Sequence, residues 1–202
     1  MKIAIIGVTG RVGSRLATEL ISRGHAVTGI AMHRPQEVRP DLTVLAADAT
    51  KPDSLAPCLA GQDAVISASR FVTSNADALI AAMRTAGVKR LLVVGGAGSL
   101  EIEPGKALMD ADGFPEAFKA EAMAGAWFLQ RLRAERDLDW TFLSPSADFA
   151  PGERTGRFRL GGDQLLSDSD GKSHISMEDF AIAMVDEVEK HAHSRQRFTV
   201  GY

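Results

Sequence analysis

The sequence predicts an α/β fold in which helices cover both faces of a doubly wound parallel sheet. Short apolar runs that suit buried strands alternate with longer amphipathic stretches that suit helices. The first apolar run, residues 3–6, is followed at once by three glycines and then by a helical stretch at about 11–23. A strand, a glycine turn and a helix start in this order are typical of the first unit of such a sheet.

The later elements follow from the same alternation. Further strands are predicted at residues 26–31, 42–47, 64–66, 91–94 and 140–143, with short strands near 157–160 and at 197–200. Helices are predicted at 50–61, 74–87, 115–136 and from 176 onward, with Thr50 and Ser176 as caps and Asp179 closing a capping box. Residues 101–115 carry prolines and glycines, which favours an irregular, mobile lid. Met123 and Trp127 on the long helix are expected in the core.

Composition limits the function classes. The chain has 202 residues and a net charge of -3, and its basic residues form no stripe or patch, so neither nucleic acid nor a membrane surface is expected as a partner. Its single cysteine, Cys58, excludes a disulfide framework and a thiolate metal cluster. We expect one cytoplasmic domain over residues 1–202, with about 145–202 as a substrate-side region, a monomer or homodimer, and no bound metal.

The three glycines predict a phosphate cradle. Gly7 would allow a tight turn, Gly10 would let a pyrophosphate approach the backbone, and Gly13 would let helix and strand pack closely. The spacing is Gly-x-x-Gly-x-x-Gly rather than the Gly-x-Gly-x-x-Gly of the common dehydrogenase fingerprint. The alternative is a turn whose glycines are incidental.

The end of the second predicted strand bears on the choice of dinucleotide. No carboxylate stands between Thr28 and Gln36 to bind the ribose hydroxyls of NAD, whereas His33 and Arg34 are present. Arg34 is a candidate clamp for the 2′-phosphate of NADP, so NADP is favoured over NAD; a solvated loop arginine is the alternative. Beyond the third and fourth strands, we expect the residues near the adenosine to be Asp48, Ala49, Ser67, Ala68 and Ser69.

Loops that follow parallel strands meet at one edge of the sheet. The loop after the fifth strand, which contains Gly95, Gly96 and Ala97, should therefore lie at the nicotinamide. Ser99 in the same loop is the candidate catalytic hydroxyl, which would orient a substrate ring. A turn or capping role for Ser99 is equally consistent with its position.

The motifs that carry a wider resemblance are at residues 7–13, 61–66, 93–100, 139–145, 175–181 and 197–202, together with Asp48. With these motifs the chain resembles the atypical, NmrA-like short-chain dehydrogenase/reductase superfamily, and within it the NADH-flavin reductases and biliverdin reductase B. The resemblance implies a Rossmann-type fold, a pyrophosphate site at Thr9, Gly10, Arg11 and Val12, and a substrate side that includes Ser144, Pro145, Ser146 and Phe149. Relatives commonly carry an arginine where Met32 stands.

The acid–base pair that the wider superfamily commonly uses is missing. That pair has the pattern Tyr-x-x-x-Lys, whereas the only tyrosine here is Tyr202, and Phe118 followed by Lys119 stands where the tyrosine would lie. We therefore expect an NAD(P)H-dependent oxidoreductase that passes hydride to a flavin-like or quinone-like small molecule. The alternative is a non-catalytic NAD(P)-binding redox sensor of the NmrA type. A nucleotide-sugar epimerase or dehydratase is disfavoured.

Overall fold

The computed structural model of the protein describes residues 1–35 and 39–202. The strands of these residues are β1 Lys2–Ile6, β2 Ala26–Ala31, β3 Thr43–Ala46, β4 Ala64–Ser67, β5 Arg90–Val94, β6 Glu101–Glu103, β7 Lys106–Ala107, β8 Asp139–Pro145, β9 Asp148–Ala150, β10 Arg159–Gly161, β11 His174–Ser176 and β12 Gln196–Gly201. The α-helices are α1 Arg11–Ser22, α2 Pro52–Leu59, α3 Ala76–Ala86, α4 Glu116–Arg133 and α5 Met177–Lys190. Short 3-10 turns cover Phe71–Thr73 and Leu108–Asp110.

The central sheet has the order β10-β12-β8-β5-β4-β1-β2-β3. Every neighbouring pair is parallel except β10 with β12 at one edge. The chain moves from β1 outward to β2 and β3, then returns to β4 on the other side of β1. This reversal of strand order opens a crevice beyond the carboxyl ends of β1 and β4, where ligands of open α/β sheets bind. The predicted Rossmann-type doubly wound sheet is confirmed.

The sheet is buried on both faces because each face has its own helix layer. Ile3 and Ile5 of β1 pack into the layer formed with α1 and α5, and Ala4 and Ile6 pack into the layer formed with α2, α3 and α4. Since successive side chains of a strand point to opposite faces, a strand covered on both sides needs a continuous apolar run. This requirement explains why the strands could be located from the sequence.

Two capping predictions were wrong in detail. Helix α2 begins after Lys51 without a side-chain cap, and the Thr50 hydroxyl instead donates to Asp48. Ser176 does cap α5, since its Oγ accepts the Asp179 N–H at 3.0 Å. A capping box would also require the Asp179 carboxylate to accept the Ser176 N–H, and this hydrogen bond is not formed. The carboxylate accepts hydrogen bonds from elsewhere in the chain, among them the Gly156 N–H at 2.8 Å.

Residues 101–115 contain more regular structure than predicted. Strands β6 and β7 form a small antiparallel hairpin, and a 3-10 turn follows. The Leu108 N–H donates to the Leu100 carbonyl at 2.8 Å, and the Met109 N–H donates to the Gly98 carbonyl at 2.9 Å. The predicted irregular lid is therefore a hairpin and turn hydrogen-bonded to the loop after β5.

The expectation that Met123 and Trp127 lie in the core was wrong. Their side chains are 54% and 73% exposed, whereas α4 buries the face that carries Gly125, Phe128 and Leu129.

Among the described residues, no helix combines the length and the apolar character that crossing a membrane requires. The cytoplasmic location stays a prediction.

Candidate functional site

The turn after β1 is shaped by glycines that have no room for a side chain. Gly7 has φ +82°, and a Cβ there would lie 2.8 Å from the Ala68 carbonyl oxygen. A Cβ on Gly13 would overlap the Gly7 carbonyl oxygen, so helix and strand require glycine at this contact. A Cβ on Gly10 would have one close neighbour, the Gly7 carbonyl oxygen, at 3.2 Å. A methyl group on Gly10 would therefore fit only if the Gly7 carbonyl moved by a few tenths of an ångström, a smaller displacement than Gly13 would require.

The N-terminus of α1 presents unpaired backbone donors in this turn. Gly10 is the N-cap and offers no side chain, and the first turn carries no acidic residue. Within the described chain, no backbone acceptor is found for the N–H groups of Arg11, Val12 and Gly13, and the same is true of Thr9. These donors and the positive end of the helix dipole together suit an anion. The residues present therefore fit a dinucleotide pyrophosphate.

The residues after β2 are placed as the sequence suggested, but their contacts with a cofactor stay predictions. His33 and Arg34 are exposed beyond the carboxyl end of β2, and Met32 is 56% exposed beside them. The next residues along the chain, 36–38, lie outside the described residues. Two candidate phosphate-binding side chains thus stand at the edge of the sheet where a dinucleotide fold meets the adenosine ribose.

Asp48 lies at the carboxyl end of β3 and is already engaged in a local turn. One carboxylate oxygen accepts the Thr50 hydroxyl at 2.6 Å and the Thr50 N–H at 3.0 Å, and the other lies 3.3 Å from the Lys51 ammonium. The hydrogen bonds from Thr50 are the main reason that the pKa of Asp48 lies below its ordinary value. Ala49 beside it is half-buried. The alternative of a turn residue thus has direct support, and an adenine contact stays a prediction.

The loop after β4 lies directly against the glycine turn. Ser67 is buried, whereas Ala68 and Ser69 are half-buried and pack against Gly7. Of the three residues predicted to border the adenosine, Ala68 and Ser69 retain exposed surface.

A cavity of about 650 Å³ lies elsewhere on the protein, but the cavity next to the glycine turn has the chemistry of a site. That site cavity measures about 610 Å³ and opens beyond the carboxyl ends of β5 and β8. Its floor is the loop of residues 95–99, and Arg11 of α1 reaches its wall. Four aromatic side chains line it: Phe71, Phe114, Phe118 and Phe149. The sequence reasoning did not assign Phe71 or Phe114 to the site, because neither belongs to a recognisable motif.

Glycines in the floor allow close packing beneath the cavity. A Cβ on Gly95 would lie 2.7 Å from the Leu143 carbonyl oxygen, and one on Gly98 would lie 2.5 Å from the Ala122 Cβ. Gly96 has only one distant neighbour, Phe71 at 3.9 Å, and with Ala97 it lines the cavity. The loop therefore requires glycine at Gly95 and Gly98 for packing, while Gly96 leaves backbone accessible to a ligand.

Ser99 lines the same cavity and also accepts hydrogen bonds from Arg197. The Arg197 guanidinium donates to the Ser99 hydroxyl and to the Ser99 carbonyl, each at 3.5 Å, and pairs with Asp163. Burial is the main cause that lowers the pKa of Arg197 below its ordinary value. This arrangement places Ser99 where it can orient a ring. Its catalytic role stays a prediction.

Three of the four predicted substrate-side residues do not reach the cavity. Ser144 and Ser146 are fully buried, and Pro145 is also buried, because β8 continues to Pro145 and is flanked by β12. The Ser146 hydroxyl donates to the Val200 carbonyl at 3.1 Å. Only Phe149 lines the cavity, together with its neighbours in the chain, Ala147 and Asp148.

The cavity contains no tyrosine–lysine pair. Phe118 and Ala122, which are one helical turn apart on α4, both line it, while Lys119 pairs with Glu116 at 2.7 Å. Tyr202 lies elsewhere: its hydroxyl donates to Asp179 at 2.8 Å, and burial raises its pKa.

Among the residues that the structure describes, no group of three or more His, Cys, Asp or Glu side chains is arranged to hold a metal ion.

Comparison with known proteins gives a family match over most of the chain. The model of the family described as NAD(P)H-binding matches residues 7–191. This range includes the glycine turn, the loop after β5 and the cavity-lining part of α4. The predicted NAD(P)-binding class is confirmed by this match.

Three solved structures are similar along essentially their whole length. A proposed exported protein from Burkholderia pseudomallei is 48% identical with a TM-score of 0.91, and the match covers 100% of both chains. A proposed epimerase from Bacteroides thetaiotaomicron is 43% identical with a TM-score of 0.93, covering 100% of this chain and 96% of that one. A proposed NADH-flavin reductase from Streptococcus pneumoniae is 35% identical with a TM-score of 0.87, covering 100% and 99%.

Proposed function

This chain belongs to the NAD(P)H-binding family, and from that premise we propose that it is an NAD(P)H-dependent oxidoreductase that passes hydride to a flavin-like or quinone-like acceptor. The observation that carries the proposal is the cavity of about 610 Å³, which four phenylalanines line above the glycine loop after β5. Aromatic walls suit a planar ring, which they can contact face to face or edge to face.

The absence of a tyrosine–lysine pair from the cavity supports this class of acceptor. Carbonyl reduction needs a proton donor at the oxygen atom, whereas a reduced flavin or quinone can take its protons from water. When bound, the reduced nicotinamide supplies the hydride. The chain's own residues then orient the two rings and exclude water. The floor of residues 95–99 carries one ring, and Phe114, Phe118 and Phe149 enclose the other.

The name of the relative from Streptococcus pneumoniae, a proposed NADH-flavin reductase, agrees with this proposal. The name of the relative from Bacteroides thetaiotaomicron, a proposed epimerase, suggests a different reaction. An active-site tyrosine is expected for that chemistry, and the cavity offers Phe118 and Ala122 instead. The reductase proposal therefore fits the described residues better.

The cofactor is proposed to be NADP in preference to NAD. The support is the pair of exposed side chains His33 and Arg34 beyond β2, together with the lack of a carboxylate between Thr28 and Gln36 in the sequence. A guanidinium can bind a phosphate through two parallel hydrogen bonds.

An acceptor panel tests the proposed function. Purified protein is mixed with NADPH or NADH and riboflavin, FMN or a naphthoquinone, and oxidation is followed by the loss of nicotinamide absorbance. Phe114→Ala should lower kcat/KM for the acceptor about ten-fold, since it removes one aromatic wall. Phe158→Ala is the matched control, because Phe158 is half-buried and lies outside the cavity. Tight dinucleotide binding without turnover of any acceptor would favour the redox sensor instead.

A further inference from the structure

The charged residues of the cavity determine which acceptors can enter it. Three of its lining residues carry charged side chains: Arg11, Glu121 and Asp148. Arg11 stands at the N-terminus of α1, beside the predicted pyrophosphate site. Under the proposed function, on which this inference rests, Arg11 therefore faces the phosphates of the dinucleotide. Two carboxylates are left on the acceptor's side of the cavity.

Glu121 is tied to the protein backbone. Its carboxylate accepts the Phe71 N–H at 2.6 Å and the Val72 N–H at 3.3 Å, and the exposed Arg70 guanidinium lies 3.6 Å away. The charge of Glu121 is therefore partly compensated by neighbouring donors.

Asp148 has a different environment. It is exposed at the start of β9, where its backbone N–H donates to the Ser173 carbonyl at 2.8 Å. Its carboxylate makes no ion pair with any described residue. Asp148 thus places an uncompensated negative charge at the exposed mouth of a cavity that is otherwise mostly apolar.

We infer that the acceptor is a planar ring compound without a phosphate group, and that Asp148 disfavours phosphorylated acceptors. In this arrangement, a flavin ring that lies among the phenylalanines directs its ribityl chain outward, past the exposed Asp148. A terminal phosphate on that chain would approach Asp148, whereas the terminal hydroxyl of riboflavin carries no charge. Like charges that face each other repel. Arg11 is the one cationic side chain among the described residues that line the cavity, and under the proposed function it is engaged by the dinucleotide phosphates.

Riboflavin and FMN form a matched pair of ligands, because they share a ring and differ by one phosphate. Their dissociation constants are measured by quenching of flavin fluorescence in protein saturated with NADP⁺. At low ionic strength we expect FMN to bind about ten-fold more weakly than riboflavin, the size that Coulomb repulsion between partly solvated charges allows. The ratio should shrink as salt is added, because the groups are exposed.

Two variants test whether Asp148 causes the weaker binding of FMN. Asp148→Asn should reduce the ratio of the two dissociation constants to about two-fold, since the charge of the remaining carboxylate, Glu121, is partly compensated by its neighbours. Asp137→Asn is the control: Asp137 is an exposed carboxylate that pairs with Arg84, and it lies just before β8, at the opposite end of the sheet. This control should keep the wild-type ratio.

The inference is overturned if FMN binds as tightly as riboflavin, if Asp148→Asn leaves the ratio unchanged, or if neither flavin binds. Failure of the proposed function has a different signature. In that case riboflavin binds with the expected preference, but NADPH is not oxidised in its presence.

Discussion

At the scale of single residues, substitutions at Gly10 and Gly13 distinguish a glycine needed for NADPH binding from a glycine needed for packing. A Cβ on Gly13 would overlap the Gly7 carbonyl oxygen, whereas a Cβ on Gly10 would lie 3.2 Å from the same oxygen and have no other close neighbour. Gly13→Ala should therefore lower the free energy of unfolding by about 2 kcal/mol or more, as overpacking does. Gly10→Ala should lower stability less than Gly13→Ala does, by about 1 kcal/mol, and should weaken NADPH binding at least about ten-fold.

Urea denaturation and calorimetric titration of both variants test this pair. A Gly10→Ala protein that binds NADPH as tightly as the wild type would show that the turn does not hold the pyrophosphate.

Arg34 is the residue on which the preference for NADP depends. Removal of a charge-assisted contact to the 2′-phosphate should cost about 1.5 kcal/mol, or roughly ten-fold in affinity. Arg34→Ala should therefore raise the dissociation constant of NADPH about ten-fold and that of NADH less than two-fold or so. Equal losses for the two dinucleotides would contradict the assignment. Arg39→Ala is a suitable control, because Arg39 already pairs with Asp41.

Sequence reasoning located the glycine turn because a buried strand and a helix stand directly on either side of it. It failed at Ser144, since nothing in the pattern shows that β8 extends to Pro145 and is covered by β12. It also placed Trp127 in the core, although Trp127 lies outside the stripe formed by Gly125, Phe128 and Leu129. Which apolar side chain faces inward depends on the exact rotation of a helix, and its apolar composition does not determine this.

At the scale of elements, Glu121 joins α4 to the loop after β4. Glu121→Ala would leave the Phe71 and Val72 N–H groups without their acceptor, and we expect a loss of about 1–3 kcal/mol in unfolding free energy. Because Phe71 also lines the cavity, acceptor affinity should fall in parallel.

Glu116→Ala on the same helix is the control for this prediction. Glu116 is 83% exposed, and its one ion pair among the described residues is with Lys119, so its removal should change stability by less than about 0.5 kcal/mol. Equal effects of the two substitutions in urea denaturation would show that Glu121 does not hold the loop.

The segment 101–115 shows why elements without periodicity are difficult to predict. Its prolines and glycines correctly indicated a break between β5 and α4. The short hairpin, and the two hydrogen bonds that the following 3-10 turn donates to the loop at 98–100, depend on tertiary contacts that no local pattern records. Phe114, which this segment contributes to the cavity, was missed for the same reason.

At the scale of the whole molecule, Glu187 links α5 to the sheet. It is buried and accepts hydrogen bonds from Arg90 at 2.7 Å and from His193 at 2.7 and 2.9 Å. Burial alone would raise its pKa, but these donors outweigh burial and hold the pKa below the ordinary value of 4.5.

A carboxylate whose pKa is lowered on folding stabilises the protein above its unfolded pKa, and this stability is lost as the pH falls through the folded pKa. Between about pH 5 and about pH 3 the wild type should therefore lose more unfolding free energy than Glu187→Gln, which has no carboxyl group to protonate. Urea midpoints across that range measure the difference. A Glu187→Gln variant whose stability falls as steeply as that of the wild type would refute the assignment.

The topology of the molecule brings the glycine turn, the loop at 95–99 and the aromatic cavity to one edge of the sheet. Alternation of strands and helices was sufficient to predict that the glycine turn and the loop at 95–99 lie at the same edge. The proposed binding of the acceptor depends on side chains from four separate segments, at Phe71, Phe114, Phe118 and Phe149. Their assembly follows from packing, so it could not be predicted from the sequence pattern.

The central claim is that hydride passes from a bound nicotinamide to a ring held in this cavity. The most direct measurement is anaerobic mixing of the NADPH complex with riboflavin, with flavin bleaching followed in a rapid-mixing spectrophotometer. We predict that the flavin is reduced in one saturable step, and that this step is slower with NADPH deuterated at the transferred position. A flavin that stays oxidised in the presence of saturating protein and NADPH would contradict the claim.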